Sequence, residues 1–360
     1  MVTIVILGAG VMGSTLAKVA AAKNNVTLVG SPLDNDIINQ LKKGQPHPGL
    51  RVDLPENITA VASTEIDDTT LRNADVIILG VSSPGVEWAL NIIDCHQATP
   101  NILALVTKGL VSAASDQSAP LTYAQTLDPQ LTSPAGRIVG IGGPCIAREL
   151  ALGYHTRVCF AAHDIAIANQ LRDILVTDYY HVATSDDFTG LEACAALKNF
   201  MCIGVSAMFT TCTLDDSYAK NPVAALFNQA VLEIDALSRW IKQDASLGDN
   251  GASAEVGSGR QSLAFDLAGM GDLHVTVGGG RNSKLGHYLG TGKHLNDILQ
   301  NDMKDVTVEG VGTARQLLPG FRRACTQGRL DAREFPLCSA ILDVVENDQP
   351  FFIDFTALPW

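Results

Sequence analysis

The sequence predicts an α/β protein in which a doubly wound parallel sheet is followed by an all-α domain. Over residues 1–184, short apolar strand-like segments alternate with helix-like segments, which is the pattern of parallel strands joined by crossover helices. After residue 185, strand signals become scarce and apolar residues recur at helical spacing. We therefore place two domains, at residues 1–184 and 185–360.

Short apolar runs indicate the strands of the first domain. Val2–Leu7 is largely apolar, as expected of a strand buried on both faces, and Val26–Val29 is the second expected strand. Helices are expected at the alanine-rich segment Val11–Ala22 and at Asp34–Lys43. Helix-like segments lie between most of the later strands. Those strands are expected at Val76–Val81, Ile102–Val106, Ile138–Ile141 and Val158–Ala161.

Long apolar helices are expected to form the second domain. Phe188–Met208 has apolar helical character, and Val223–Ile241 repeats apolar residues at helical spacing. The stretch Asp244–Gly259 is rich in Gly, Ser and Asp, which is typical of a surface loop. Further helices are expected at Ala254–Ala268, Ser283–Leu289 and Gly310–Leu318.

Composition and charge exclude several classes of protein. The net charge of −13 gives a surface that repels nucleic acid and anionic lipid. No apolar run reaches the roughly 18 uninterrupted residues of a membrane span, and Met1–Leu7 lacks the basic start of a signal peptide. The eight cysteines show no CxxC pair and no Cys/His spacing typical of zinc. We therefore expect a cytoplasmic protein with buried thiols and no bound metal.

The glycine motif Gly8-Ala9-Gly10-Val11-Met12-Gly13 follows the first predicted strand and opens the first predicted helix. In that context Gly8 permits a tight turn, Gly10 lets the backbone approach a pyrophosphate, and Gly13 lets helix and strand pack closely. The start of the helix then supplies N–H groups for phosphate. The motif predicts a Rossmann-like dinucleotide site that includes Val11 and Met12.

Asp34 is the candidate for recognising the cofactor's ribose. It follows the second predicted strand, where an acidic residue commonly accepts a hydrogen bond from a ribose 2′-hydroxyl. The same residue could instead cap the next helix, and the sequence leaves both readings open. No arginine stands nearby to receive a 2′-phosphate, so we expect NAD, with NADP the less favoured cofactor.

Two lysines are candidates for the chemistry. Lys108 lies just beyond a predicted strand end, where open parallel sheets bind their ligands. Lys198 lies inside an apolar helix, where burial lowers the pKa of a lysine and a second nearby cation lowers it further. Such a lysine can donate and accept a proton near neutral pH. The alternative reading of Lys198 is a lysine at a helix edge whose amine reaches water.

An ordered set of motifs resembles the NAD-dependent sn-glycerol-3-phosphate dehydrogenases. Each segment is weak alone, but together they follow the family's order over most of the chain. The segments are the Gly8, Gly10 and Gly13 turn, Thr107-Lys108-Gly109, Gly143-Pro144, Ala196-Leu197-Lys198-Asn199, Gly269-Met270-Gly271-Asp272-Leu273, Thr276, Gly280-Arg281-Asn282 and Glu309-Gly310.

The resemblance implies that Lys198 is the general acid–base for hydride transfer to a small phosphorylated ketone, dihydroxyacetone phosphate above all. It implies that Lys108 holds the substrate and tunes Lys198, and that Asp272 orients Lys198. Read without the resemblance, Asp272 would be a helix cap and Arg281 a surface ion pair. The resemblance assigns the phosphate to Arg281 and Asn282, and the polar lining to Thr276 and Asn199.

The resemblance also implies further cofactor contacts, a homodimer and a place in glycerophospholipid metabolism. Lys108 and Arg281 are again among the residues expected near the cofactor. The others are Pro84, Ala147 and Glu309.

The chain departs from the family's pattern around the expected substrate site. Ala195 replaces the usual glycine, residues 200–221 differ, and residues 244–260 look inserted. The family's arginine gives way to the Phe227-Asn228-Gln229 region. Two alternatives follow: a dehydrogenase for a larger phosphorylated polyol, or a dinucleotide-sensing protein without catalysis.

Overall fold

The computed structural model describes residues 1–113, 119–127, 137–214, 217–248 and 262–359. The chain divides into two compact units. Unit 1 comprises Met1–Lys108 and Ala124–Phe188, and unit 2 comprises Gly109–Tyr123 and Thr189–Trp360. The division predicted between residues 184 and 185 lies four residues before the observed one, and unit 2 also includes the segment Gly109–Tyr123.

In the described part of unit 1, eight strands form one sheet. Its strand order is β8-β7-β6-β5-β4-β1-β2-β3, so the chain winds outward in both directions from the pair β1 and β4. The strands are β1 (Thr3–Leu7), β2 (Asn25–Gly30), β3 (Ile58–Ala62), β4 (Val76–Leu79), β5 (Ile102–Leu105), β6 (Ile138–Gly142), β7 (Thr156–Ala161) and β8 (Tyr180–Ser185).

The predicted doubly wound sheet is confirmed, and it is parallel except at one pair of neighbouring strands. Strands β6 and β7 pair antiparallel, while the other neighbouring strands pair parallel. Hydrophobic periodicity reports which side chains are buried and carries no information on strand direction. The sequence pattern therefore could not predict the direction of β7.

Strands β3 and β8 were not predicted, and they are the two edges of the sheet. An edge strand has a neighbour on one side only, and most side chains of β3 and β8 are only partly buried. Their sequences therefore lack the continuous apolar run that identified the central strands.

Helices cover the sheet, and the first of them is central to the cofactor turn. Leu16 and Val19 of the first helix are buried in one apolar core with Ile4 and Ile6 of β1. The helices that begin before residue 188 are α1 (Val11–Ala20), α2 (Asn35–Lys42), α3 (Asp68–Arg72), α4 (Val86–Cys95), α5 (Tyr123–Leu127), α6 (Ala147–Ala151) and α7 (Ile165–Leu175).

Unit 2 is mainly helical, with two short antiparallel strand pairs that the all-α expectation missed. Leu110–Val111 pairs with Leu121–Thr122, and Thr213–Leu214 pairs with Ser217–Tyr218. The helices are α8 (Phe188–Thr211), α9 (Lys220–Gly248), α10 (Asp272–Val277), α11 (Arg281–Gly290), α12 (Leu295–Asp297), α13 (Glu309–Thr326) and α14 (Pro336–Asn347). Single π-helical turns precede α10 at Leu267–Gly271 and follow α12 at Ile298–Asp302.

Helix α8 is long and apolar enough, by length and composition alone, to cross a membrane. Within the structure, however, 89% of its most apolar window is buried. Packing against neighbouring helices accounts for this apolar character, as in the core helix of a globular domain.

Two predictions concern residues that are only partly described. Of the loop expected at Asp244–Gly259, residues 244–248 belong to helix α9 and the rest lie outside the described residues. The helix expected at Ala254–Ala268 is described only from residue 262, where a 3₁₀ turn at Leu263–Phe265 leads into the π-helical turn before α10.

Candidate active site

The glycine turn after β1 has the geometry of a phosphate-binding turn. Gly8 has a φ of +112°, which side chains rarely allow, and a Cβ on Gly13 would lie 2.0 Å from the Gly8 carbonyl oxygen. Gly10 is the N-cap of α1 and places no side chain over the helix end. Val11 and Met12 form the first turn, so the N–H groups at this helix start suit a pyrophosphate.

Asp34 follows β2 and contacts the same turn. Its Oδ2 accepts hydrogen bonds from the N–H of Ala9 at 3.1 Å, the N–H of Ser31 at 2.9 Å and the Ser31 hydroxyl at 2.7 Å. Its side chain makes no capping bond to α2, so the helix-cap reading is wrong for the side chain. The ribose contact stays a prediction.

The loops after β4, β5 and β6 carry Pro84, Lys108 and Ala147, respectively. These loops lie at the carboxyl ends of the parallel strands, on the same side of the sheet as the glycine turn. The Ser83 hydroxyl donates to the Lys108 carbonyl oxygen at 3.1 Å, which joins the first two loops. Ala147 begins α6, and its carbonyl oxygen accepts from the Thr15 hydroxyl of α1 at 3.1 Å. Unit 1 therefore brings together the cofactor residues predicted in its part of the chain.

In unit 2, the amine of Lys198 is buried and held by two partners. Lys198 lies in the middle of α8 and is 6% exposed. Its Nζ is 2.9 Å from Asp272 Oδ1 and 2.7 Å from Thr276 Oγ1. The Thr276 hydroxyl donates to the Asp272 carbonyl oxygen at 2.6 Å, so it must accept from the amine. The reading of Lys198 as an edge lysine reaching water is wrong.

Asp272 reaches the amine because of the local structure before α10. The π-helical turn Leu267–Gly271 ends at Asp272, which is the first residue of α10 and 3% exposed. The N-cap of α10 is Gly271, so Asp272 does not cap the start of that helix. Gly269 is required in this turn, since a Cβ there would lie 2.2 Å from the Ala264 carbonyl oxygen. Such π-helical turns often occur at functional sites.

Three amide or carboxylate side chains form a second network beside Lys198. Asn199 Nδ2 donates to Glu309 Oε2 at 3.0 Å, and Asn282 Nδ2 donates to Asn199 Oδ1 at 3.0 Å. The N–H of Gly310 donates to Asn282 Oδ1 at 2.9 Å. Asn282 is buried, so its amide links helices α8, α11 and α13. Its predicted contact with the substrate phosphate stays a prediction.

Arg281 is the most accessible member of this group. Its guanidinium side chain is 52% exposed, and one nitrogen lies 3.4 Å from Glu309 Oε1. It begins α11 directly after Gly280, whose φ is +102°. Arg281 therefore does form an ion pair, with Glu309 as its partner. The exposed part of the guanidinium can still bind an anion.

Cys202 is one of the thiols expected to be buried, and it is buried. It was not predicted to belong to the site, where it lies one helical turn beyond Lys198. Its thiol lies 3.4 Å from the Thr276 carbonyl oxygen and 3.6 Å from the Ser206 hydroxyl. Burial raises the pKa of this thiol to about 11, so it is a neutral packing group rather than a nucleophile. Its position four residues after Lys198 in an apolar helix was the available signal.

The structure brings together Lys198, Asp272 and Thr276, and it joins Asn199, Asn282, Glu309 and Arg281 in the neighbouring network. Lys108 belongs to unit 1, so its predicted role toward Lys198 stays a prediction. Among the described residues, no group of three or more His, Cys, Asp or Glu side chains has the arrangement of a metal site.

Both halves of the chain match descriptions of one protein family. Residues 3–168 match "NAD-dependent glycerol-3-phosphate dehydrogenase N-terminus", and residues 187–352 match the C-terminus of the same family. An NADP(+)-dependent glycerol-3-phosphate dehydrogenase of Archaeoglobus fulgidus is 31% identical, over 91% of this chain and 89% of the relative. A glycerol-3-phosphate dehydrogenase [NAD(P)+] of Symbiobacterium thermophilum is 29% identical, over 96% of this chain and 90% of the relative.

Solved structures show the same fold. A glycerol-3-phosphate dehydrogenase from Coxiella burnetii gives a TM-score of 0.72 at 22% identity, covering 96% of this chain and 95% of its own. The Plasmodium falciparum glycerol-3-phosphate dehydrogenase gives 0.76 at 17% identity, covering 97% and 92%. At these identities the likeness concerns the fold alone.

Proposed function

Because the chain belongs to the NAD-dependent glycerol-3-phosphate dehydrogenase family, we propose that it interconverts sn-glycerol 3-phosphate and dihydroxyacetone phosphate with a nicotinamide dinucleotide. The observation that carries this proposal is the buried amine of Lys198, held by Asp272 and Thr276. A secondary alcohol and a ketone differ by a hydride on carbon and a proton on oxygen. Unit 2 supplies a group suited to moving that proton.

The stoichiometry of the amine fits this role. A protonated amine has three hydrogens, and a neutral amine has two hydrogens and a lone pair. Asp272 and Thr276 need only two hydrogens of the amine, so both contacts can be kept in either state. In ketone reduction, Lys198 gives a proton to the carbonyl oxygen as that oxygen becomes a hydroxyl. In alcohol oxidation, the lone pair takes the hydroxyl proton back.

Asp272 stabilises the charged state of this cycle. Its carboxylate lies 2.9 Å from the amine in a site from which water is largely excluded. A nearby negative charge favours the ammonium form, while burial opposes it. Both effects act on the amine to which we assign the proton transfer.

The glycine turn fits the dinucleotide, since α1 begins without a capping side chain and leaves its first N–H groups for phosphate. When bound, the reduced nicotinamide supplies the hydride for the carbonyl carbon. We propose that Gly8, Gly10 and Gly13, with Val11 and Met12, hold the pyrophosphate.

We propose NAD as the preferred cofactor. The carboxylate of Asp34 is anchored at the end of β2 by the N–H groups of Ala9 and Ser31. A fixed negative charge at this position disfavours the additional 2′-phosphate of NADP.

For the substrate phosphate, we propose the exposed guanidinium of Arg281, which can form two parallel hydrogen bonds to phosphate oxygens. Asn282 supports it indirectly, because its amide holds Asn199 and the start of α13. In this proposal the substrate lies beside the amine of Lys198.

Purified protein would be tested by NADH oxidation with dihydroxyacetone phosphate and larger ketose phosphates. We expect turnover of dihydroxyacetone phosphate, and a fall in kcat of about 10²–10⁴-fold in Lys198→Ala with little change in NADH affinity. Turnover of only a larger ketose phosphate would contradict the substrate assignment. An equally active Lys198→Ala variant would contradict the role of the amine.

Location and assembly are further proposals. We propose a cytoplasmic enzyme, in keeping with the acidic chain of net charge −13 and its eight cysteines. We also propose a homodimer, on the resemblance to the family alone, with no nucleic-acid partner and no stable insertion into a membrane.

A further inference from the structure

His47 is a buried histidine outside the residues assigned above. It lies between α2 and β3 and is 1% exposed. Its Nε2 is 3.0 Å from the carbonyl oxygen of Ala9, in the middle of the glycine turn. Its Nδ1 is 3.1 Å from both the Gly49 and Leu50 backbone nitrogens.

These contacts determine which ring nitrogen carries the proton. Nδ1 faces two backbone N–H donors, so it must accept hydrogen bonds from Gly49 and Leu50. A neutral imidazole has one N–H, which is therefore on Nε2. His47 thus donates a hydrogen bond to the Ala9 carbonyl oxygen.

The Ala9 oxygen sets the direction of the next N–H group. The peptide between Ala9 and Gly10 is planar and trans, so its C=O and N–H point in opposite directions. His47 and the Ser14 hydroxyl, which donates at 3.0 Å, both hold the oxygen on one side. The N–H of Gly10 is consequently directed to the other side. Asp34 holds the preceding N–H of Ala9 in the same way.

The loop that carries His47 is itself packed against the start of α1. Leu50 is buried in a small apolar cluster with Ala147 and Ala151, and Met12 packs against this cluster. Gly49 lies so close to α1 that a Cβ there would be 2.8 Å from Val11 Cγ1. The histidine therefore rests on a support that is fixed to the elements it acts on.

We propose that His47 is a positioning residue for dinucleotide binding, which acts by aiming the N–H of Gly10 at the pyrophosphate. The inference rests on the proposed use of a dinucleotide, but not on the identity of the substrate. His47 itself contacts neither the cofactor nor the reacting atoms in this role.

Two substitutions of His47 each keep the hydrogen bonds of only one of the two ring nitrogens. The amide oxygen of His47→Asn takes the place of Nδ1 and keeps the bonds from Gly49 and Leu50, but it loses the contact with Ala9. The amide nitrogen of His47→Gln takes the place of Nε2 and keeps the contact with Ala9. The control is His155, an exposed histidine elsewhere in unit 1, changed in the same way to give His155→Asn.

The Kd for NADH would be measured by fluorescence, together with the kcat and KM of each variant. We expect His47→Asn to raise the Kd about five- to tenfold, the loss of one hydrogen bond, and His47→Gln to restore most of the affinity. The kcat at saturating NADH and the KM of the ketose phosphate should stay near the wild-type values, as should all values for His155→Asn.

Three results would overturn the proposal: an unchanged Kd in His47→Asn, an equal loss in both His47 variants, or a fall in kcat alone. Ser14→Ala removes the other donor to the Ala9 oxygen with a smaller change, and it decides the matter if His47→Asn does not fold. An unchanged Kd in Ser14→Ala would then overturn the proposal. Wild-type protein that binds NADH but reduces no ketose phosphate would contradict the proposed function alone.

Discussion

At the scale of single residues, the amine of Lys198 is positioned by one turn of helix α10. Asp272 and Thr276 are four residues apart, so both side chains lie on the same face of α10. The hydroxyl of Thr276 also donates to the Asp272 carbonyl oxygen, which orients its lone pairs toward the amine. The carboxylate and the hydroxyl therefore act as one unit on Lys198.

Removal of the Thr276 hydroxyl should impair proton transfer. In Thr276→Val the amine loses a hydrogen-bond acceptor in a buried site, and we expect kcat to fall about ten- to a hundredfold. Thr276→Ser keeps the hydroxyl and should remain within about threefold of the wild type. Steady-state kinetics with dihydroxyacetone phosphate would measure both. Equal activity of Thr276→Val and Thr276→Ser would show that the hydroxyl does not hold the amine.

Asp34 is the residue whose charge should control cofactor choice. Asp34→Asn keeps an oxygen for the N–H groups of Ala9 and Ser31 and removes the negative charge. We expect the ratio of kcat/KM for NADPH to that for NADH to rise about tenfold, which corresponds to roughly 1.4 kcal/mol. Asp36→Asn, two residues further on the exposed side of α2, should leave the ratio unchanged. The NAD preference would be disproved if wild-type protein favoured NADPH.

At the scale of elements, helix α8 is the frame on which the site is built. A Cβ on Gly286 would lie 2.3 Å from the Ile203 carbonyl oxygen, and one on Gly290 would lie 2.0 Å from that of Ala207. The backbones of α8 and α11 therefore touch. Because α11 begins at Arg281, this packing determines where Arg281 lies relative to Lys198.

The backbones of helices α13 and α8 also touch, and two glycines of α13 allow this contact to be tested. A Cβ on Gly310 would lie 2.5 Å from the Asn199 carbonyl oxygen, whereas one on Gly312 would meet no atom within 4 Å. We expect Gly310→Ala to lower the free energy of unfolding by about 1–3 kcal/mol and to reduce kcat/KM, because Asn199 and Glu309 are pushed apart.

Gly312→Ala is the control in the same helix, where alanine favours helix formation by about 0.5–1 kcal/mol over glycine. Urea denaturation would compare the two variants. Equal stability of Gly310→Ala and Gly312→Ala would mean that α13 can move away from α8 at little cost.

A buried carboxylate of helix α9, that of Glu233, lies at the start of helix α14. Glu233 of α9 accepts hydrogen bonds from the N–H groups of Leu337 and Cys338 and from the Gln229 amide. Burial raises the pKa of Glu233 from 4.5 to about 7, although these three hydrogen bonds lower it in part. The folded protein therefore binds this proton more tightly than the unfolded chain does.

The contribution of Glu233 to stability should consequently fall as pH rises. It is fully present below the unfolded pKa of 4.5 and is lost as the pH passes through the folded value of about 7. The shift corresponds to about 3 kcal/mol at most. Unfolding free energies of Glu233→Gln should lack this component, while Glu56→Gln at an exposed site should retain it. Parallel pH profiles for wild type and Glu233→Gln would contradict the assignment.

At the scale of the whole molecule, the two units divide the work that we propose. Unit 2 contains the groups around Lys198. Unit 1 contains the residues assigned to the cofactor, which follow the carboxyl ends of its strands: the glycine turn, Asp34, Pro84, Lys108 and Ala147. Open α/β sheets bind ligands beyond the carboxyl ends of their strands because the loops that follow neighbouring strands meet there.

The proposed homodimer is tested by light scattering coupled to size exclusion. We expect a mass of twice the 38.1 kDa of one chain. Most soluble homo-oligomers are twofold dimers, and the proposal rests on the family resemblance. A mass of one chain at micromolar concentration would refute it.

Features that depend on neighbours along the chain could be predicted without coordinates. Strand and helix periodicity located β1, α1, α8 and α13, and the glycine spacing located the cofactor turn. An apolar helix marked Lys198 as a candidate, but it left open whether the amine is buried or reaches water. These features follow from the order of side chains along a short segment, which is what periodicity and turn chemistry record.

Contacts between distant residues depend instead on how whole elements pack. The contact between Asp272 and Lys198 spans 74 residues of chain and was implied by the family resemblance alone. The contacts of Glu309 with Asn199, across 110 residues, and of His47 with Ala9, across 38, were not predicted. The direction of β7 and the transfer of residues 109–123 to unit 2 were decided in the same way. The physical reason is that a hydrogen bond depends on the spatial distance between donor and acceptor, which is set by packing of whole elements and leaves no local pattern in the sequence.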